Sequence, residues 1–180
     1  MEVKTIAIQK VIDKNGKPIK WYTHGSKSFT YINIKDDVKV VVLMNGNKEY
    51  LLCKLLELDC IVFQSDSIIN GLAHNKQLEE LKTALNDKRL IVLLENDTSS
   101  LNTLEPIKKN LTTCKNIIPV HIEDLYLNYS LRTGTEVPTL NKGTDVIDFV
   151  NYVKDKYEFI YCLQDIYKGK LKNILRAEGA

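Results

Sequence analysis

The sequence predicts an α/β fold in which a parallel sheet of about four strands is flanked by helices. From Val38 onward, apolar strand-like runs alternate with helix-like segments, and alternation on this scale is typical of a Rossmann-type parallel sheet with right-handed crossovers. The strand-like runs contain few polar residues, as expected for strands that are buried on both faces. A chain of 180 residues is long enough for one such domain with a sizeable core.

Four apolar runs define the strands of the predicted sheet. They span residues 38–44, 60–63, 89–94 and 116–122. Pro119, inside the last run, has no backbone N–H to donate, so this strand is predicted at an edge of the sheet.

Helices are predicted where apolar residues recur at helical spacing. This pattern covers residues 48–58, 75–85 and 144–150, and a further segment that begins near Ser99. Pro106 lies within that last segment, and an interior proline removes a backbone hydrogen bond. We therefore expect a kink there, or a helix that begins near Glu105.

The chain is predicted to comprise three parts. Residues 1–37 form a β appendage, because turn signals separate short stretches rich in β-branched and aromatic residues. Residues 38–156 form the α/β domain, within which 123–141 shows no clear period and is predicted to be irregular. Residues 157–180 form a C-terminal helix with an apolar stripe. A basic rim on this helix consists of Lys168, Lys170, Lys172 and Arg176.

Composition limits the function classes. The formal net charge is +2 and 44% of the residues are hydrophobic, which is typical of a soluble globular protein and does not demand a nucleic-acid partner. No stretch reaches the roughly 18 apolar residues that a membrane span needs. The four cysteines include no C-x-x-C pair, so they are predicted to be buried free thiols of a cytoplasmic protein.

Two acids follow the third predicted strand. Glu95 and Asp97 come directly after the run Leu90–Leu94, at the carboxyl edge where open α/β sheets bind ligands. Acids two apart on an extended segment point to the same side, and Mg²⁺ takes such oxygen ligands. The alternative is that both are solvated loop acids, with Asp97 or Ser99 capping the next helix.

Polar residues follow the predicted strands in an order that resembles a known domain. Asn45-Gly46 follows the first strand, Glu95-Asn96-Asp97 follows the third, and Lys142-Gly143-Thr144-Asp145-Val146-Ile147-Asp148-Phe149-Val150 comes after the fourth. This order resembles the Toprim domain of bacterial-type primases, topoisomerases, OLD-type nucleases and some repair proteins. In that family, Glu-Gly follows the first strand and D-x-D the third. Phage and plasmid primase-type members often add K-D-x-x-D-(F/W)-(L/V).

The resemblance implies a metal site and a departure from catalysis. It implies that Glu95, Asp97, Asp145 and Asp148 are the ligands of a weak or lost Mg²⁺ site. The general acid/base Glu of the family is replaced here by Asn45, and an amide cannot serve as a general base. The chain is therefore expected not to be an enzyme at this position, and rescue by Glu49, one helical turn away, is not favoured.

Three functions follow from these observations. The first is a degenerate Toprim-like protein of a mobile element that binds DNA, RNA or a replication protein without catalysis. The second is an active Mg²⁺-dependent phosphodiester enzyme, primase-like or nuclease-like. The third is a Rossmann-like nucleotide-sensing or protein-interaction module that is unrelated to nucleic acid.

The β appendage offers candidate nucleic-acid contacts. Aromatic and basic residues alternate there, and such side chains can stack on bases over a basic surface. The alternative is that the aromatic residues pack the appendage against the core. The candidate residues are Lys20, Trp21, Tyr22 and Lys27.

Overall fold

The computed structural model of the chain describes residues 30–178 and, before them, only the backbone of four two-residue strands. Strand β1 (Ile6–Ala7) pairs antiparallel with β4 (Tyr22–Thr23). Strand β2 (Val11–Ile12) pairs antiparallel with β3 (Pro18–Ile19). These pairings agree with a β-rich N-terminal segment.

The central sheet has five strands and is mixed. Its order is β5 (Thr30–Asn33), β7 (Cys60–Phe63), β6 (Val40–Asn45), β8 (Arg89–Leu94) and β9 (Asn116–His121). The last four strands run parallel to one another, as predicted. Strand β9 lies at an edge, as its proline predicted.

The fifth strand corrects the prediction of a purely parallel four-stranded sheet. Strand β5 was assigned to the appendage, but it pairs antiparallel with β7. Its side chains alternate between the two layers of the domain, because Tyr31 packs against one hydrophobic core and Ile32 against the other. The strand is therefore an integral edge of the sheet.

Eight α-helices lie within residues 30–178. They are α1 (Asn47–Leu55), α2 (Asp66–Asn70), α3 (Leu78–Ala84), α4 (Thr98–Asn102), α5 (Leu104–Asn110), α6 (Ile122–Thr133), α7 (Val146–Val153) and α8 (Lys156–Glu178). A 3₁₀ turn, Leu72–His74, separates α2 from α3. No helix in this part of the chain combines the length and apolar character needed to cross a bilayer.

The helices form two layers because the strands are apolar on both faces. Along β6, Val42 and Met44 join one core, and Val41 and Leu43 join the other. Helices α1, α6, α7 and α8 contribute to the first core, and α2, α3 and α5 contribute to the second. Burial on both faces explains why the strands appear in the sequence as continuous apolar runs.

Helix α6 corrects the prediction of an irregular segment over 123–141. Ile122, Leu125 and Tyr126 are buried on one face of this helix, but Leu127 and Leu131 are 53% and 77% exposed. Apolar residues on the outer face obscured the helical period in the sequence. The helix ends at Gly134, whose positive φ of 73° suits a left-handed C-cap.

Proline 106 acts as predicted. The segment divides into α4 and α5 at Thr103, and Pro106 falls in the first turn of α5. A backbone N–H in the first turn has no acceptor within the helix, so a proline is tolerated there.

Strand order creates a crevice at the carboxyl edge of the sheet. The chain passes from β6 to β7 on one side and later crosses to β8 on the other side of β6. The connections that leave β6 and β8 therefore diverge. In open α/β sheets, ligands bind at such a switch point.

Candidate functional site

A small pocket opens between the carboxyl ends of β6 and β8. Asn45 ends β6 and Glu95 directly follows β8. Five of the pocket's lining residues are apolar and three are polar. The pocket is lined by Met44, Asn45, Glu49, Leu93, Leu94, Glu95, Ile122 and Val146. The residues that end β6 and follow β8 thus meet in one crevice, at the point where the connections of the two strands diverge.

Asn45 is held by a carboxylate that the sequence analysis did not identify. Its side-chain Nδ2 donates a hydrogen bond to Asp66 Oδ1 at 2.5 Å. Asp66 lies just after β7, the neighbour of β6. Burial raises the pKa of Asp66, and the charge of Asp97 adds to this, while a hydrogen bond from Ser99 opposes it. An acid that follows a short apolar strand was the available signal, since Glu95 was found in that way.

Glu49 lies inside the crevice, although the sequence analysis did not favour a role for it. Its side chain is buried, with only 6% exposed. Gly46, at φ 113°, makes room for it, because a Cβ at Gly46 would overlap the Glu49 carboxylate. Burial raises the pKa of Glu49 to about 7, and the charges of Asp145 and Asp148 contribute to the increase.

Glu95 shares this environment. Burial raises the pKa of Glu95 to about 8, and four neighbouring acids, led by Asp66 and Glu49, raise it further. Two carboxyl groups of one crevice therefore retain protons close to neutral pH. A bound divalent cation would favour their ionised forms, because its charge opposes both desolvation and mutual repulsion.

The other three predicted metal ligands also cap helices. Asp97 Oδ1 accepts a hydrogen bond from Ser100 N at 2.7 Å at the start of α4. Asp145 and Asp148 form a reciprocal capping box at the start of α7. Each cap uses one oxygen of the carboxylate, and the second oxygen takes no part in it. Within residues 30–178, no three His, Cys, Asp or Glu side chains are arranged to hold a metal ion.

The segment 142–144 is hydrogen-bonded to the turn that follows β8. Asn96 N donates to Thr144 O at 3.3 Å, and Gly143 N donates to Asn96 O at 2.9 Å. These bonds fix Lys142, which lines a surface depression together with Asn96 and Asp97. A cation is thereby placed beside the acidic crevice.

The predicted nucleic-acid contacts in the appendage lie outside the residues whose side chains the structure describes. Lys20, Trp21 and Lys27 fall outside the described residues, and Tyr22 is described by its backbone alone. The cysteines are free, as predicted: Cys53, Cys60 and Cys162 are buried and Cys114 is partly buried.

Comparisons with protein-family models, with curated proteins and with solved structures found no match to this chain.

Proposed function

We propose that this chain is a Toprim-like domain that binds nucleic acid through a divalent cation and does not catalyse a reaction at position 45. The observation that carries the proposal is the meeting of three separated segments at the switch point of the sheet. Asn45 and Glu95 line one pocket, and Asn96 is hydrogen-bonded to the segment that carries Lys142. Their order along the chain resembles the order of the Toprim motifs.

The role of the cation follows from the charge of the crevice. The charges of Asp66 and Glu49 both act on Glu95 and raise its pKa, and an acidic site repels a phosphate group. A cation such as Mg²⁺ takes carboxylate oxygens on one side and phosphate oxygens on the other. The proposal therefore requires that phosphate binding at this site depends on a divalent cation.

The absence of catalysis follows from the chemistry of Asn45. A carboxamide does not titrate in the physiological range and cannot take a proton from a nucleophile. Its N–H is, in addition, engaged by the Asp66 carboxylate. We expect Asn45 to orient the ends of β6 and β7 rather than to exchange protons.

A second candidate function is Mg²⁺-dependent phosphodiester chemistry. The specific observation in its favour is Glu49, a carboxyl group in the same pocket with a pKa raised to about 7. A pKa near the working pH suits a general acid or base. In this case Glu49 takes the role that Asn45 has lost.

One set of measurements tests both functions. Anisotropy titrations of labelled single-stranded and double-stranded DNA, at low salt, with MgCl₂ or with EDTA, should show binding that requires Mg²⁺. Incubation of the same DNA with MgCl₂ or MnCl₂ should leave it intact. Cleavage that is abolished by Glu49→Gln would establish the second function. Failure to bind either form of DNA in MgCl₂ would refute the nucleic-acid proposal and leave a replication protein as the partner to test.

A further inference from the structure

We infer that a pocket beside the acidic crevice binds a nucleobase of a single-stranded nucleic acid. The pocket lies between the loop 138–144 and the helices α6 and α7. Tyr126 and Tyr152 form its aromatic wall, and Pro138 and Leu140 form the opposite wall. Lys142 and Asp148 lie at its charged mouth. Of these residues, Lys142 also borders the depression next to Asp97. Through Lys142, the pocket adjoins the depression that Asn96 and Asp97 line.

The aromatic wall is held in a fixed geometry. The rings of Tyr126 and Tyr152 lie 5.3 Å apart, and Phe149 meets Tyr126 edge to face at 5.0 Å. The hydroxyl of Tyr152 donates to the backbone oxygen of Glu136 at 3.0 Å. Tyr126 is only 4% exposed and supports the wall from the core, so Tyr152 is the ring that a base can contact. A preorganised aromatic side chain binds a flat ring with little loss of entropy and stacks on any base regardless of sequence.

The mouth of the pocket provides a cation for a phosphate. The Lys142 side chain is exposed and makes no hydrogen bond or ion pair within residues 30–178. Its position is nevertheless defined, because Gly143 and Thr144 are both bonded to Asn96. A nucleotide with its base against Tyr152 therefore has a positive charge available for its phosphate on the way to the crevice.

A pocket that takes up one base favours single strands over duplexes. A base must leave its stack to enter a pocket, and unpairing costs free energy that a single strand does not need to spend. This inference rests on the proposed function for the choice of nucleic acid as the ligand. The pocket itself lies outside the acidic crevice and can be blocked separately.

The test fills the pocket without altering the hydrophobic core. Thr139 is an exposed residue of the pocket lining, so Thr139→Trp should block the pocket. Val137→Trp is the matched control, because Val137 is 45% exposed and does not line this pocket. Base stacking contributes roughly 1–3 kcal/mol, so Thr139→Trp should weaken single-strand binding by roughly 5- to 150-fold. Val137→Trp should bind as the wild type does.

Two further probes identify the contacts. An abasic single strand should bind wild type and Thr139→Trp equally, because it retains phosphates but offers no base. Lys142→Gln should weaken binding of both the ordinary and the abasic single strand. It should also reduce the slope of log affinity against log salt concentration by about one. Equal single-strand affinity of wild type, Thr139→Trp and Lys142→Gln would overturn the inference and leave the proposed function intact.

The mononucleotide AMP distinguishes a failure of the proposed function from a failure of the base pocket. If no DNA binds with or without MgCl₂, the proposed function fails, and AMP is then titrated by calorimetry. Binding of AMP that is lost in Thr139→Trp would retain the base pocket as a nucleotide site. No binding of AMP in that case would overturn the pocket as well.

Discussion

The side-chain amide of Asn45 donates a hydrogen bond to the Asp66 carboxylate across the ends of two neighbouring strands. Position 45 is the position at which the Toprim resemblance calls for a glutamate. The structure gives this residue a donor's role toward an acid, which a carboxylate cannot perform. The amide at position 45 is therefore matched to the acid that it faces.

Replacing Asn45 by aspartate should destabilise the protein in the absence of divalent cations. Asn45→Asp has nearly the same shape, but it removes the donor and places a second acid against Asp66. We expect a loss of roughly 1–3 kcal/mol in the free energy of unfolding, because a half-buried acceptor loses its partner. Urea denaturation in EDTA measures this loss.

Magnesium should reverse part of the effect of Asn45→Asp. A cation shared by Asp66 and the new carboxylate would turn their repulsion into ligation, and a ligand that binds only the native state stabilises it. Asn45→Glu, the residue of the resembling motif, should respond in the same direction. Equal destabilisation of both variants in EDTA and in MgCl₂ would contradict a cation site at position 45.

The stability of the protein should fall as the pH rises through neutrality, because of Glu49. The pKa of Glu49 is about 7 in the folded protein and 4.5 when unperturbed, so the native state binds the proton more tightly. The contribution of this group is complete below pH 4.5 and is lost as the pH rises through about 7. A difference of this size corresponds to roughly 3 kcal/mol. Urea denaturation from pH 5 to pH 8.5, in EDTA, follows the loss.

Glu49→Gln should remove most of that pH dependence. The variant carries a neutral group of the same shape, so it should resemble the wild type at pH 5 and exceed its stability at pH 8.5. Glu57→Gln serves as the control, because Glu57 is exposed. Parallel pH profiles for the wild type and Glu49→Gln would contradict the buried, protonated state of Glu49. Glu95 titrates in the same crevice, so a residual slope is expected.

The sequence was sufficient to predict the strands but not to predict which strands pair. Continuous apolar runs predicted β6 to β9, and Pro119 predicted the edge position of β9. The β-branched and aromatic residues around Tyr31 predicted a strand, but not its partner, because pairing depends on contacts distant in sequence. Strand β5 was therefore assigned to the wrong part of the chain.

The same reason explains which residues of the site were found. Glu95 and Asp97 follow a strand directly, so local pattern was enough. Asp66 reaches Asn45 only because β7 lies next to β6, and a single sequence does not give strand order. Glu49 lies one helical turn beyond Asn45, so the sequence did not favour a role for it, and it is the missing side chain at Gly46 that leaves room for its carboxylate.

Ser100 should be important for the conformation of the acidic turn. It is 1% exposed, and its Oγ accepts a hydrogen bond from Glu95 N at 2.8 Å. Ser100→Ala leaves this backbone donor without its acceptor, which should cost roughly 1–2 kcal/mol. The amide proton of Glu95 should also exchange faster with solvent, as measured by NMR. Thr98→Ala, at an exposed position of the same helix, should change neither quantity, and equal behaviour of the two variants would refute this role.

Lys170 should stabilise the docking of α8 on the sheet, unlike the other residues of the predicted basic rim. Its Nζ donates to Asp124 Oδ2 at 2.7 Å and to the backbone oxygen of Pro119 at 2.8 Å. Lys170→Met keeps the apolar stem and removes both bonds, so we expect a loss of roughly 1 kcal/mol in urea denaturation, as a half-exposed ion pair contributes little more. Lys168→Met, at an exposed position two residues earlier, should be neutral. Because one of the two bonds goes to an uncharged carbonyl, high salt should reduce the difference between the variants without abolishing it. Complete loss of the difference in high salt would show that only the ion pair contributes.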